Sequence, residues 1–116
     1  MSDLIYTNGK LSKAVSILAT HPGRINERLT QAANRALVGV DPAVFNASAP
    51  GIYIGAPRYW QKIWSAITAV RHDPQREPFA PSIDRLSEIE ASEIARMIVS
   101  LAAMLDSAER RLKQYK

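Results

Sequence analysis

The chain has 116 residues, of which 47% are hydrophobic and 22% are charged, and its formal net charge at pH 7 is +4. This composition is typical of a soluble globular domain, and the length supports one sizeable hydrophobic core rather than two. Because the sequence contains no Cys, it excludes disulfides, thiolate catalysis and every metal or cluster site that needs Cys ligands.

The first half of the sequence predicts two helices joined by a tight turn. Apolar residues recur at helical spacing over residues 10–20 and again over about 24–38. The first helix is expected to end at Pro22-Gly23, because Pro cannot continue a hydrogen-bonded helix. Gly39 marks the end of the second helix, and Pro42 to about Asn46 is predicted to form one short helical turn.

The second half predicts a third helix over residues 57–70 and a long last helix that runs to about Gln114. Trp60 and Trp64 are expected in the apolar face of the third helix, and the Pro-rich residues 71–81 in an irregular loop. Ser87 and Glu90 have the spacing of a capping box at the start of the last helix.

The fold class follows from these elements, since the sequence contains no convincing pair of strands. We expect an all-α, compact single-domain helical bundle of three main helices plus short helical turns, with a long C-terminal helix. The domain should cover residues 1–116, with flexible ends at 1–9 and 113–116.

The sequence also gives an expectation about location. No apolar run approaches the roughly 20 residues that span a bilayer. The stretch 1–10 carries Asp3 and lacks the apolar run of a secretory signal. We therefore expect a cytoplasmic protein with no membrane partner.

No catalytic or metal-binding pattern stands out in the sequence. His21 and His72 lie beside Pro residues, where solvated loop histidines are common, and the five Gly residues are too scattered for a phosphate-binding loop. Glu88, Glu90 and Glu93 resemble paired carboxylates, but acids that stabilise a helix N-terminus are the simpler interpretation. We therefore predict that the protein is not an enzyme and uses no cofactor or metal.

One candidate binding surface is a basic stripe on the second predicted helix. Its spacing of i, i+4, i+7 and i+11 places four polar side chains on one face: Arg24, Arg28, Gln31 and Arg35. Such side chains suit contacts with phosphates and purine edges, and the two helices have the outline of a helix-turn-helix. Pro22 is unusual in that turn and Glu27 would repel phosphate, so a solvated amphipathic helix is the favoured alternative.

Two further candidate surfaces involve the later helices. Arg110, Arg111 and Lys113 form a basic C-terminus that suits phosphate or an acidic protein groove, although a frayed helix end is the commoner outcome. Four residues around the third helix are candidates for a protein interface, with a core role as the alternative: Tyr53, Arg58, Tyr59 and Lys62. The long last helix also suggests a homo-oligomer.

Two patterns carry a resemblance. Residues 18–29 read LAT-x-x-G-x-I-x-x-RL, and the second half contains Ser82-Ile83 followed by the IARxIV pattern of residues 94–99. The chain resembles a group of short uncharacterised bacterial and phage-associated helical proteins, from which it departs over residues 40–59. The resemblance implies a shared helical domain carried by phages or other mobile elements, and it transfers no functional residues.

These observations lead to two functional hypotheses. The first is a non-enzymatic helical interaction protein that binds another protein or a nucleoprotein complex, as a phage or mobile-element accessory or anti-defence factor. The alternative is a small helix-turn-helix-like regulator that binds DNA or RNA through the basic stripe.

Overall fold

The computed structural model of the chain describes residues 2–40, 56–69 and 79–114. Its elements, in chain order, are α1 (Ser2–Thr20), α2 (Ile25–Arg35), a 3₁₀ turn (Leu37–Gly39), α3 (Ala56–Ile67), α4 (Ala80–Asp84) and α5 (Glu88–Gln114). The described part is helical and has no strand, so the predicted all-α fold with a long C-terminal helix is confirmed. The short turn predicted at residues 42–46 lies outside the described residues.

Helix α5 lies at the centre of the packing, because α1, α2 and α3 all pack against it. Its buried face carries Ile98, Leu101 and Leu105, which are fully buried and recur at helical spacing. They meet buried side chains from the other helices, among them Leu11, Leu29 and Ile63. A helix of 27 residues is about 40 Å long, so α5 runs along most of the 46 Å length of the molecule.

Helices α1 and α5 are antiparallel. Asn8, near the start of α1, bonds to Glu109 near the end of α5, with 3.1 Å between Nδ2 and Oε1. Arg24, just beyond the end of α1, contacts Glu88 at the start of α5. These two contacts therefore lie near opposite ends of α5.

The first helix begins at Ser2 rather than at about Lys10, so the predicted start of this helix was too late. Thr7 and Asn8 are buried, with 0% and 6% of their surface exposed. The sequence Thr7-Asn8-Gly9 contains weak helix formers and interrupts the apolar pattern. Packing against the rest of the protein stabilises helices in a way that local propensity does not show.

The second helix is shorter than predicted, because it ends at Arg35 and a 3₁₀ turn follows. The turn between α1 and α2 depends on Gly23, whose φ is +112°, a left-handed conformation that L side chains rarely adopt. A Cβ atom at this position would lie 2.7 Å from Oε2 of Glu27. This explains why the turn contains glycine.

The capping box predicted at the start of α5 is present. The backbone N–H of Ser87 donates to Oε1 of Glu90 at 2.9 Å, and the N–H of Glu90 donates to Oγ of Ser87 at 3.1 Å. Of the predicted loop 71–81, Pro81 instead lies in the first turn of α4, where its missing N–H has no helical partner to lose. Residues 70–78 lie outside the described part.

The two tryptophans of α3 differ in exposure. Trp60 is buried, whereas 37% of Trp64 is exposed, so only Trp60 is fully in the expected core. The Trp64 ring stacks on the Trp60 ring, with 5.5 Å between the ring centroids, and meets the Phe79 ring edge to face at a centroid distance of 5.6 Å.

Among the described residues, no helix has the length and apolar character needed to cross a bilayer.

Candidate functional site

The first arginine of the basic stripe is engaged by an acid. Nε and Nη2 of Arg24 donate to Oε1 of Glu88 at 3.1 and 2.7 Å. The two side chains are 74% and 62% exposed, so water surrounds the pair. The hydrogen bond to the Glu88 carboxylate raises the pKa of Arg24. An approaching phosphate would therefore have to compete with Glu88 for this guanidinium.

The second arginine of the stripe caps the C-terminus of α1. Nη1 of Arg28 donates to the backbone carbonyl of Leu18 at 3.0 Å, which satisfies one of the carbonyls that a helix C-terminus leaves open. Its neighbour Asn26 donates from Nδ2 to the carbonyls of Ile83 and Leu86 at 3.0 and 2.9 Å. Much of the polar face of α2 thus holds neighbouring elements together.

The rest of the stripe lies closer to solvent. Gln31 is half-buried and Arg35 is exposed, and Arg35 makes no hydrogen bond or ion pair within the part of the chain that the structure describes.

At the other end of the stripe is a cleft of about 420 Å³, lined by Arg24, Asn26, Glu27, Asp84, Leu86, Ser87 and Glu88. Three of these residues are acids and one is basic, which disfavours phosphate.

The structure separates the two predicted basic regions. Arg24 lies against the first residue of α5, whereas Arg110 pairs with Asp106 near the end of the same helix, at 3.1 Å. At about 1.5 Å per helical residue, roughly 33 Å separates the two places along α5. Arg111 and Lys113 belong to the last turns of α5, and their side chains lie outside the described part. Among the described residues, the two basic regions therefore lie at opposite ends of α5.

Of the predicted aromatic surface, Tyr59 lies in a depression. Tyr59 is half-buried, and it lines a cavity of about 170 Å³ together with Glu93, Arg96, Met97 and Ser100 of α5. Arg58 and Lys62 are exposed on α3, and neither lines this cavity. Tyr53 lies outside the described residues.

A second depression adjoins the first along α5. It has a volume of about 290 Å³ and is lined by Glu88, Ile89, Ser92, Glu93 and Arg96. The two depressions adjoin at Glu93 and Arg96, which line both, and together they are named here the α3–α5 groove. Ile89 is 74% exposed at one end of the groove.

The two charged residues shared by the depressions have no partner among the described residues. Glu93 and Arg96 are exposed, and neither makes a hydrogen bond or an ion pair within the described part of the chain. Residue type and spacing alone did not indicate these residues as a site, because Glu93 also suits a helix start. The available signal was Ile89, which lies off the buried apolar stripe of α5.

The other acids at the start of α5 have structural partners. Glu88 pairs with Arg24 and Glu90 completes the capping box. A hydrogen bond from the backbone N–H of Ser87 lowers the pKa of the Glu90 carboxyl, and the Ser87 hydroxyl lowers it further to a smaller extent. Within the described residues, no group of three or more His, Asp or Glu is placed to hold a metal ion.

No family model, curated protein or solved structure matches the chain. The resemblance drawn from the two sequence patterns therefore stays a prediction.

Proposed function

We propose that this protein is a small non-enzymatic helical interaction module that binds another protein through the α3–α5 groove. The observation that carries the proposal is the exposure of Ile89, at 74%, beside a groove whose two charged side chains have no described partner. A partner would bury Ile89 and would supply an acid and a base to Arg96 and Glu93.

The composition of the groove suits a protein partner. Interfaces combine apolar and aromatic side chains that become buried with polar groups around them. Here Ile89, Tyr59 and Met97 supply the apolar surface, and Glu93 and Arg96 supply charges of both signs. Charges of both signs in one groove favour a partner that also carries both, which is more typical of a protein surface than of a nucleic acid.

Site-specific photo-cross-linking in cells tests the proposal. A photoreactive amino acid replaces Ser92 in the groove, and the matched control carries it at Ser12, an exposed residue of α1. We expect a discrete cross-linked protein from position 92 that is missing from position 12 and decreases when Arg96→Glu is added. Absence of a cross-link at 92, or the same products from both positions, would contradict the proposal.

The nucleic-acid alternative has less support. Two of the three arginines in the basic stripe make internal contacts, Arg24 with Glu88 and Arg28 with Leu18. A gel-shift titration at low salt tests it, because binding through phosphate contacts falls steeply as salt increases. We expect no shift at low salt. Salt-dependent binding that weakens in Arg35→Ala would instead favour the regulator.

The biological setting is also part of the proposal. A role as an accessory or anti-defence factor of a phage or mobile element rests on the sequence resemblance alone. A cytoplasmic location rests on the sequence expectation given above. Fractionation of cells that express the chain tests the location, since recovery with membranes or outside the cytoplasm would contradict it.

A further inference from the structure

We propose that the partner of this surface is a second copy of the same chain, bound antiparallel along α5 in a symmetric dimer. The contacting residues would be Ile89, Ser92, Glu93, Arg96 and Val99, named here the outward face of α5. This inference rests on the proposed function, because it identifies the partner that the interaction module binds.

The spacing of the outward face suits a helix–helix contact. Ile89, Ser92, Arg96 and Val99 follow one another at intervals of three, four and three residues, the spacing of a two-helix seam. All four are exposed, and they lie opposite the buried stripe that contains Ile98 and Leu101. The α5 helix therefore has one face that packs in its own core and a second face that is exposed in the described part of the chain.

The outward face is complementary to itself when one copy is reversed. A symmetric two-fold interface requires that residue i contacts residue j of the other copy, and that j contacts i in return. With the two-fold axis midway between Glu93 and Arg96, Ile89 of each copy lies near Val99 of the other. The same arrangement places Glu93 of each copy beside Arg96 of the other. Apolar groups thus meet apolar groups, and two opposite-charge pairs form.

The charges determine the orientation of the two helices. In a parallel pair, Glu93 would face Glu93 and Arg96 would face Arg96, and both contacts are repulsive. The antiparallel pair replaces these repulsions with two attractive contacts. Because Glu93 and Arg96 have no described partner within the chain, forming these contacts breaks no internal ion pair. Charge pairs across an interface determine its register and specificity more than its affinity.

The apolar ends of the face provide the stabilisation. Ile89 and Val99 are 74% and 47% exposed, and contact with the second copy removes part of this apolar surface from water. The distance between them along the helix is only about 15 Å. Such a short seam buries less than a standard interface, so we expect a weak dimer that dissociates on dilution.

Sedimentation equilibrium of the full chain, from about 10 μM to about 1 mM, tests the proposal by mass action. We expect the average mass to rise from monomer toward dimer. Glu93→Arg and Arg96→Glu should each weaken association at least about tenfold, since each creates two like-charge contacts. The matched control is Arg35→Glu, which makes the same charge reversal as Arg96→Glu at an exposed position of α2. It should leave association unchanged.

Mixing the two charge variants gives the sharpest outcome. In an equal mixture, Arg at position 93 of one chain faces Glu at position 96 of the other, and the remaining pair is also restored. We expect the mixture to form a heterodimer at concentrations where each variant alone is mostly monomeric. Circular dichroism of each variant verifies that it is folded.

Three results would overturn the self-pairing. They are a monomeric mass at every concentration, a dimer that is insensitive to both charge reversals, or a mixture that stays monomeric. If the chain is monomeric but position 92 still cross-links a protein of another mass, self-pairing fails while the proposed function stands. If position 92 cross-links nothing, both fail.

Discussion

The guanidinium of Arg24 donates from two nitrogens to one carboxylate oxygen of Glu88, at 3.1 and 2.7 Å, across 64 positions of sequence. This pair joins the start of α2 to the start of α5. It converts the first base of the predicted nucleic-acid stripe into a contact between helices. The same two residues mark one end of the molecule, far from Arg110 at the other end of α5.

We predict a small favourable coupling between Arg24 and Glu88. In a double-mutant cycle with Arg24→Ala and Glu88→Ala, the loss in melting temperature for the double variant should be less than the sum of the single losses. The coupling should decrease at high salt, because both side chains are exposed and salt screens them. A cycle of Arg35→Ala with Glu88→Ala is the control and should be additive. Additivity in the Arg24 cycle at low salt would contradict the prediction.

Arg28 should contribute to stability through the end of α1. Arg28→Met keeps most of the aliphatic stem but removes the hydrogen bond from Nη1 to the Leu18 carbonyl. We expect the free energy of unfolding in urea to fall by about 1 kcal/mol. Arg35→Met, at an exposed position on the same helix, should change it by less than about 0.5 kcal/mol. Equal effects of the two substitutions would mean that the Arg28 contact adds nothing.

The start of α1 allows a prediction in the opposite direction. Thr7 is fully buried, and its hydroxyl has no hydrogen-bond partner among the residues that the structure describes. Thr7→Val replaces this hydroxyl with a methyl group of similar size, so we expect stability to rise by about 1 kcal/mol. Thr30→Val is the matched control, because the buried Thr30 hydroxyl donates to the Asn26 carbonyl at 2.9 Å. That variant should gain nothing. Unchanged stability in Thr7→Val would contradict the prediction, because it would mean that the buried hydroxyl costs nothing.

Local signals explain why some elements were predictable from the sequence. The apolar stripe of α5 and the pair Ser87 and Glu90 lie within the helix they define, so spacing alone located the start of that helix. The segment Thr7-Asn8-Gly9 gave no such signal, because it becomes helical by packing against distant residues such as Glu109.

The candidate site divides in the same way. Tyr59 could be identified from its type and its neighbours, and the structure places it in the α3–α5 groove. Among the described residues, Glu93 and Arg96 have no partner, whereas Arg24 and Arg28 bond to Glu88 and to the Leu18 carbonyl. This difference depends on which groups the fold brings together. A sequence lists the charges of a helix, but only the tertiary arrangement determines which of them remain available for a partner.

The capping box should give a pH-dependent contribution to stability. Hydrogen bonds from Ser87 lower the pKa of Glu90 in the folded protein from its ordinary value of 4.5. A carboxyl group with a lowered folded-state pKa stabilises the fold above its unfolded-state pKa, and it loses this effect as pH falls through the folded-state pKa. The melting temperature of the wild type should therefore be higher than that of Glu90→Gln at neutral pH, and this difference in melting temperature should become smaller in acid. Thermal melts from about pH 7 to about pH 3 measure it. A difference that is constant or grows in acid would contradict the prediction.

The same substitution should destabilise the protein on the buried face of α5 but have little effect on stability on its outward face. Ile98 is fully buried whereas Ile89 is 74% exposed. Ile98→Ala leaves a cavity in the core and should lower the free energy of unfolding by about 2 to 5 kcal/mol. Ile89→Ala should change it by less than about 0.5 kcal/mol in dilute solution.

Association should show the reverse order. Ile89→Ala removes apolar surface from the outward face, so it should weaken the concentration-dependent mass increase in sedimentation. Ile98→Ala should leave that association unchanged at temperatures where the variant is folded, because Ile98 faces the core. A large loss of stability in Ile89→Ala would place this side chain in the core and would remove the apolar contact from the proposed dimer.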